Sequence, residues 1–130
     1  MTPDDRTRAG EAVRRAVLGD DYVDHAVPSP LQEYLNRAVW GEVWARDGLD
    51  RRTRSCITLA LLAALRCEAE LAVHVAAARS LGLSVAEIHE VLLHTAVYAG
   101  APAANAAFAV AHRVLAADRS PPEEPDPDRA

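Results

Sequence analysis

Cys67, Glu70 and His74 stand three and four residues apart in RCEAELAVHVAAARSLG (66–82), a stretch otherwise rich in alanine, valine and leucine. On a single helix that spacing puts all three on one face. Four roles are open to such a face: thiol redox chemistry, metal binding, acid–base catalysis, or a core histidine with no chemical task. A dithiol site of the pattern C-x-x-C-x-x-x-H needs a thiol where Glu70 stands. Disulfide exchange needs a resolving thiol, so peroxide reduction is not expected. The carboxylate–imidazole pair suits acid–base work, because a nearby Glu raises the imidazole pKa and fixes its tautomer. The same spacing also describes an ordinary helix-surface pair worth about 0.2–0.5 kcal/mol.

Glu90 and His94 repeat the spacing, with nothing else nearby to signal a pocket. His89 and His94, five apart, point away from each other on a helix and chelate poorly. There is no H-E-x-x-H and no Glu-x-x-His, so no metal site is expected. His25 and His112 carry no partner signal. Arg51, Arg52 and Arg54 open a helix in DGLDRRTRS (47–55), where cations oppose the macrodipole. Arginine forks and free helix N–H groups there can converge on a carboxylate; a solvated charge cluster has the same sequence. Trp40 and Trp44 nearby fit either a pocket wall or a core.

All fourteen basic residues are arginine; the chain has no lysine. Arginine stays protonated and forms no Schiff base. Imine and pyridoxal phosphate chemistry are thereby excluded on this chain alone. Any carbanion formed must find its electron sink in the substrate or a metal.

The elements that position these residues read as helices almost throughout, with no sustained β-alternation. A charged amphipathic helix over 3–18 ends at Gly19, and 19–30 reads as a turn-rich connection. Residues 31–46 form the next helix, with Trp40 and Trp44 on one face. Asp50 caps a helix running through CITLALLAALR, apolar most of the way round and therefore buried in the fold or at an interface. The 66–82 segment follows and ends at Gly82. Ser84 and Glu87 form a capping box for SVAEIHEVLLHTAVY. Gly100 closes that helix and Pro102 opens the last. The proline-rich charged tail, 119–130, is expected to be disordered. The sum is an all-α bundle of about six helices over residues 1–118, with helices 53–65 and 103–117 expected to contribute to homo-oligomer interfaces.

Half of the 130 residues are apolar, which suits one domain with a real core and leaves little room for a dinucleotide fold. The net charge of −5 and the absence of a basic, aromatic-laced stripe argue against nucleic acid. The chain opens polar and acidic, and its longest apolar run (56–65) is half the roughly 20 residues of a membrane span. A cytoplasmic location is expected, with Cys56 and Cys67 reduced. On one helix those two would lie roughly 16 Å apart, beyond disulfide reach.

Four segments in order, AVRRAVLGDDYVD, AVWGEVWARDGLDRRTRS, EAELAVHVAAA and EIHEVLLHTAVYAGAPAANAAF, resemble the carboxymuconolactone decarboxylase family over residues from about 11 to 117. That family is similar in fold to the AhpD-type alkylhydroperoxidases; Cys67 falls on the first cysteine of their redox motif, Glu70 replaces the second, and His74 is retained. The resemblance implies an AhpD-like helical protomer in a trimer or hexamer. It also implies cofactor-independent decarboxylation of 4-carboxymuconolactone to 3-oxoadipate enol-lactone in aromatic catabolism. His74 would then be the general acid or polariser, with Glu42 or Glu70 as its carboxylate partner. Arg51 and Arg54 would hold substrate carboxylates, Trp44 would form a wall, and His94 would line the site. Three departures bear on the substrate. The connection from Asp24 to Leu31 is shorter than usual in the family and holds Pro28 and Pro30. Ala76 and Ala99 stand where many members have arginine and cysteine. A different carboxylated substrate of secondary metabolism, handled by the same fold, is one alternative; a non-catalytic oligomeric binding protein is another.

Overall fold

A computed structural model of the chain describes residues 2–118 and 127–128. The expected disorder of the tail falls outside these residues, apart from Pro127 and Asp128. Helix α1 (Pro3–Leu18) starts at a capping box in which the Thr2 hydroxyl accepts from the Asp5 N–H and the Asp5 carboxylate accepts from the Thr2 N–H. A short α2 (Asp20–His25) occupies the stretch expected as a loop. Its first-turn residues, Asp20 and Asp21, favour the positive end of a helix dipole. Helix α3 (Pro30–Leu35) is capped by Ser29, whose hydroxyl accepts from the Gln32 N–H at 3.0 Å.

The helix expected over 31–46 changes pitch. From Asn36 to Trp44 it is a π-helix, ending with the Ala45 N–H on the Trp40 carbonyl five residues back at 3.1 Å. Trp40, Trp44, Val39 and Val43 crowd an α-helical turn, and Gly41 allows the segment to lie directly on α1. A Cβ on Gly41 would come within 2.6 Å of the Arg6 carbonyl oxygen, and one on Gly10 would collide with the Asn36 carbonyl. This is a backbone-to-backbone crossing.

Helix α4 (Arg51–Ala64) begins at Asp50, whose carboxylate accepts from the Thr53 N–H at 2.7 Å. A tight turn through Arg66 (φ 60) leads to α5 (Glu68–Ser80). Helix α6 (Val85–Ala99) starts at the expected Ser84–Glu87 box. Gly100, at φ 92, is the sole residue between α6 and α7 (Ala101–Ala116) and takes a conformation that side chains disfavour. The expectation of an all-helical chain holds, with seven α-helices and the π segment among the described residues.

Two cores result. Leu59, Leu71, Val75, Ile88, Leu92 and Val110 centre the larger one, between α4, α5, α6 and α7. The smaller joins Val13 and Val17 of α1 to Trp40, Trp44 and Ala77. Helix α7 turns its Ala103, Ala107, Val110 and Ala111 stripe inward. From α4 onward, the large exposed apolar side chains lie instead on α4 (Ile57, Leu61) with Leu65 just after it, and on α6 (Leu93, Val97, Tyr98).

Candidate active site

His74 sits on α5 among Leu71, Val75, Ala77 and Ala78, all buried, and is itself half-buried. Its ring lies nearly parallel to that of Trp40, 8° apart in plane and 6.4 Å between centroids. Trp40 in turn leans on Trp44 at 5.0 Å. The Nδ1 atom of His74 is buried and has no hydrogen-bond partner. Leaving such an atom unpaired costs about 1–3 kcal/mol.

Burial pushes the His74 pKa down, and the field of Glu70 opposes this without reversing it. The raised pKa expected from the Glu–His spacing is therefore corrected: Glu70 is exposed on the helix surface, where water weakens its pull, while the imidazole is desolvated. Glu42, the other expected partner, ion-pairs Arg6 of α1 at 2.9 Å. Within the protomer, Glu70 is the carboxylate whose field reaches the ring.

Cys67 stands just outside the helix that carries Glu70 and His74. It is the cap residue before α5, at φ −90 and ψ 70, with its thiol on the Leu65 carbonyl at 3.8 Å. Cys56 lies on α4, so the two free thiols belong to different elements. Burial pushes the Cys56 thiol pKa up.

The three arginines at the start of α4 separate. Arg52 is taken up by Glu87, at 2.9 and 3.1 Å to its two oxygens, and by the Gly82 carbonyl. Arg51 is exposed and lines a cavity of about 330 Å³ with Trp44, Arg46, Asp47 and Asp50. Asp50 is committed to the helix cap, and the Thr53 N–H holds its carboxyl below the usual range. Arg54 is half-buried; one terminal nitrogen reaches the Arg46 carbonyl at 3.5 Å, and its Nε is buried without a partner. Ser55 Oγ is a third buried, unpartnered polar atom. The tryptophan pair thus has His74 against one member and an arginine-lined cavity against the other.

His94 is not brought to this cluster. It is exposed on α6, with its ring against Tyr98 at 5.3 Å. Ala76 lines a different cavity, of about 490 Å³, beside Arg79 and Arg113. Among the described residues, no group of three or more His, Cys, Asp and Glu side chains is placed to hold a metal ion.

Residues 29–113 match the model of the carboxymuconolactone decarboxylase family. The chain belongs to that family. It is 40% identical over 121 residues to the 4-carboxymuconolactone decarboxylase of Acinetobacter baylyi, covering 88% of this chain and 90% of the relative. It is 38% identical over 112 residues to a nitrosuccinic acid decarboxylase of Metarhizium robertsii, covering 82% and 78% respectively. The family match spans every candidate residue from Glu42 to His94 and leaves α1 and α2 outside. The His74–Trp40–Trp44 row adjoins the cavity that Arg46 and Arg51 line. Arg46 was not foreseen as part of it. No local pattern marks a residue that reaches a cavity across a turn.

Proposed function

We propose that this chain is a cofactor-independent carboxy-lyase acting on a carboxylated lactone, with 4-carboxymuconolactone as substrate and 3-oxoadipate enol-lactone as product. The observation that carries this reading is His74, a half-buried imidazole with an unpartnered Nδ1 on a tryptophan wall, in a chain similar to two proteins named as decarboxylases.

Arg51 and Arg54 hold the substrate carboxylates, with Trp44 against the ring. Such charge-assisted contacts are roughly twice as strong as neutral ones. The departing carboxylate is conjugated through a C=C bond to the lactone carbonyl. When the C–C bond breaks, carbon dioxide leaves and the electron pair moves through the C=C onto the lactone oxygen. The imidazole N–H of His74 stabilises that oxyanion, in surroundings where water competes poorly. A proton then adds to carbon and the carbonyl re-forms. A bound carboxylate opposes the lowering of the His74 pKa by favouring the charged ring, so the same ring can deliver the proton. Glu70 supports its charged form.

A second substrate reading is favoured by the similarity to the nitrosuccinic acid decarboxylase. A nitro group next to a carboxylated carbon also accepts the electron pair, and the roles of His74, Arg51 and Arg54 carry over unchanged. The deciding experiment incubates the chain with synthetic 4-carboxymuconolactone and, separately, with nitrosuccinic acid, following carbon dioxide release. Release from the lactone supports the first reading, release from the nitro acid alone the second, and release from neither a non-catalytic binding role.

The exposed apolar residues of α4 and α6 support self-association, here proposed as a trimer or hexamer. No helix is long and apolar enough to cross a membrane among the described residues, and two free thiols suit a reducing cytoplasm.

A further inference from the structure

The two ring nitrogens of His74 have opposite surroundings. Nδ1 is buried and has no hydrogen-bond partner. Nε2 also bonds no described residue, yet it is not one of the buried, unpartnered atoms and so stays open to solvent. The half-buried ring thus turns one nitrogen inward and the other outward. A helical side chain leans over the residues three and four positions earlier. For His74 these are Leu71, 1% exposed, and Glu70, at the surface. The ring accordingly stands where the core face of α5 meets its exposed face.

Among the described residues, no carboxylate ties down either nitrogen. In an oriented acid–base pair a carboxylate holds one nitrogen and fixes the tautomer, leaving the other to react. Here Glu42 is paired with Arg6 at 2.9 Å. Glu70 acts on the ring through its field, with no hydrogen bond between them. An inward nitrogen that is closed to water is closed to a substrate as well, because a carboxylate or lactone is bulkier than a water molecule. Reaching Nδ1 would require prising the ring from its buried neighbours. Nε2 needs no such movement.

We propose that His74 acts through Nε2 alone, and that Nδ1 takes no part in the exchange of protons with substrate or water. This rests on the reading of His74 as polariser and proton donor. The Nε2–H group donates to the oxyanion that forms as carbon dioxide leaves. The N–H bond then breaks, the electron pair returning from the oxyanion captures the proton at carbon, and the carbonyl re-forms. Transfer from the charged ring leaves a neutral imidazole that keeps its Nδ1 hydrogen, and Nε2 regains a proton from water. Nδ1–H is present before and after the transfer. Its missing acceptor therefore penalises both states alike and does not bias the step.

The test uses the full chain with ring-labelled histidine, followed by nitrogen NMR, with His74→Gln assigning the resonances. Succinate serves as an unreactive dicarboxylate probe and succinamide as its uncharged comparison. The expected result is a saturable shift of the His74 Nε2 resonance with succinate, Nδ1 staying where it was and succinamide moving neither. Two variants divide the nitrogens, since a glutamine amide nitrogen falls near the Nε2 position and an asparagine amide nitrogen near Nδ1. His74→Gln should bind succinate as wild type does, whereas His74→Asn should bind roughly tenfold more weakly, having lost one charge-assisted hydrogen bond. If His74→Asn does not fold, the wild-type spectra decide. The proposal is overturned if succinate produces no saturable shift at Nε2, if Nδ1 moves as far, or if a folded His74→Asn binds as tightly as His74→Gln. Carbon dioxide release is read separately: its absence would remove the decarboxylase reading, whereas the spectra alone judge which nitrogen meets the ligand.

Discussion

Trp40 lies face to face with His74, the two ring planes only 8° apart. At 6.4 Å the rings are within the offset-stacked range of about 4.5–7 Å. The indole therefore stands alongside an imidazole whose buried Nδ1 has no hydrogen-bond partner.

That placement predicts a titration. His74 has its pKa lowered from 6.5 by burial, so the unfolded chain binds the proton more readily. The stability it confers is fully present above about pH 6.5 and is lost as pH falls through the lowered folded value. Histidine Cε1–H NMR should show one ring titrating below the ordinary range, moving upward when a carboxylated ligand is added. Urea midpoints should fall less steeply between pH 6.5 and 5 in His74→Gln than in wild type.

Turnover separates the two histidines. His74→Gln should fold and bind the anionic substrate while losing about 10²–10⁴-fold in rate, the usual contribution of a positioned proton donor. His94→Gln, changed on the exposed face of α6, should keep more of its activity. Wild-type decarboxylation by His74→Gln would reduce this histidine to a packing residue.

The α4 arginines should divide in the same assay. Arg51→Gln and Arg54→Gln each remove a charge-assisted contact worth about 1.5–3 kcal/mol, raising KM by roughly 10–100-fold. Arg52→Gln loses an exposed pair with Glu87, an interaction worth about 0–1 kcal/mol, and a 3.3 Å hydrogen bond to the Gly82 carbonyl, and should leave KM where it is. A KM defect confined to Arg52→Gln would contradict this division.

Peroxide reduction should be absent. Glu70 offers no resolving thiol, Cys67 is the cap residue before α5, and burial pushes the Cys56 thiol pKa up. Dithiol-dependent peroxidase turnover that vanishes in Cys67→Ser would contradict this.

What the sequence disclosed and what it hid divide along the range of the interactions. Asp50 to Thr53 and Ser84 to Glu87 span three residues, so both helix starts were legible. The stacking of Trp40 on His74 joins positions thirty-four apart, and Trp40 could only be placed as wall or core. The pitch of 36–44 depends on the approach of α1 to Gly41, and the loss of Arg52 to Glu87 depends on how α4 meets α6. Spacing correctly grouped Glu70 with His74 but not the sign of the pKa shift, because burial outweighs the neighbouring charge.

The glycine crossing has a dynamic consequence. At Gly10 and Gly41 no side chain intervenes between α1 and the π segment, so neither can rotate or slide without the other. The two should therefore open to solvent as one cooperative unit, with matched amide-exchange protection, instead of fraying separately. Gly10→Ala would wedge this seam apart at a cost of about 1–3 kcal/mol. It should accelerate exchange in both segments together while leaving α6 and α7 protected.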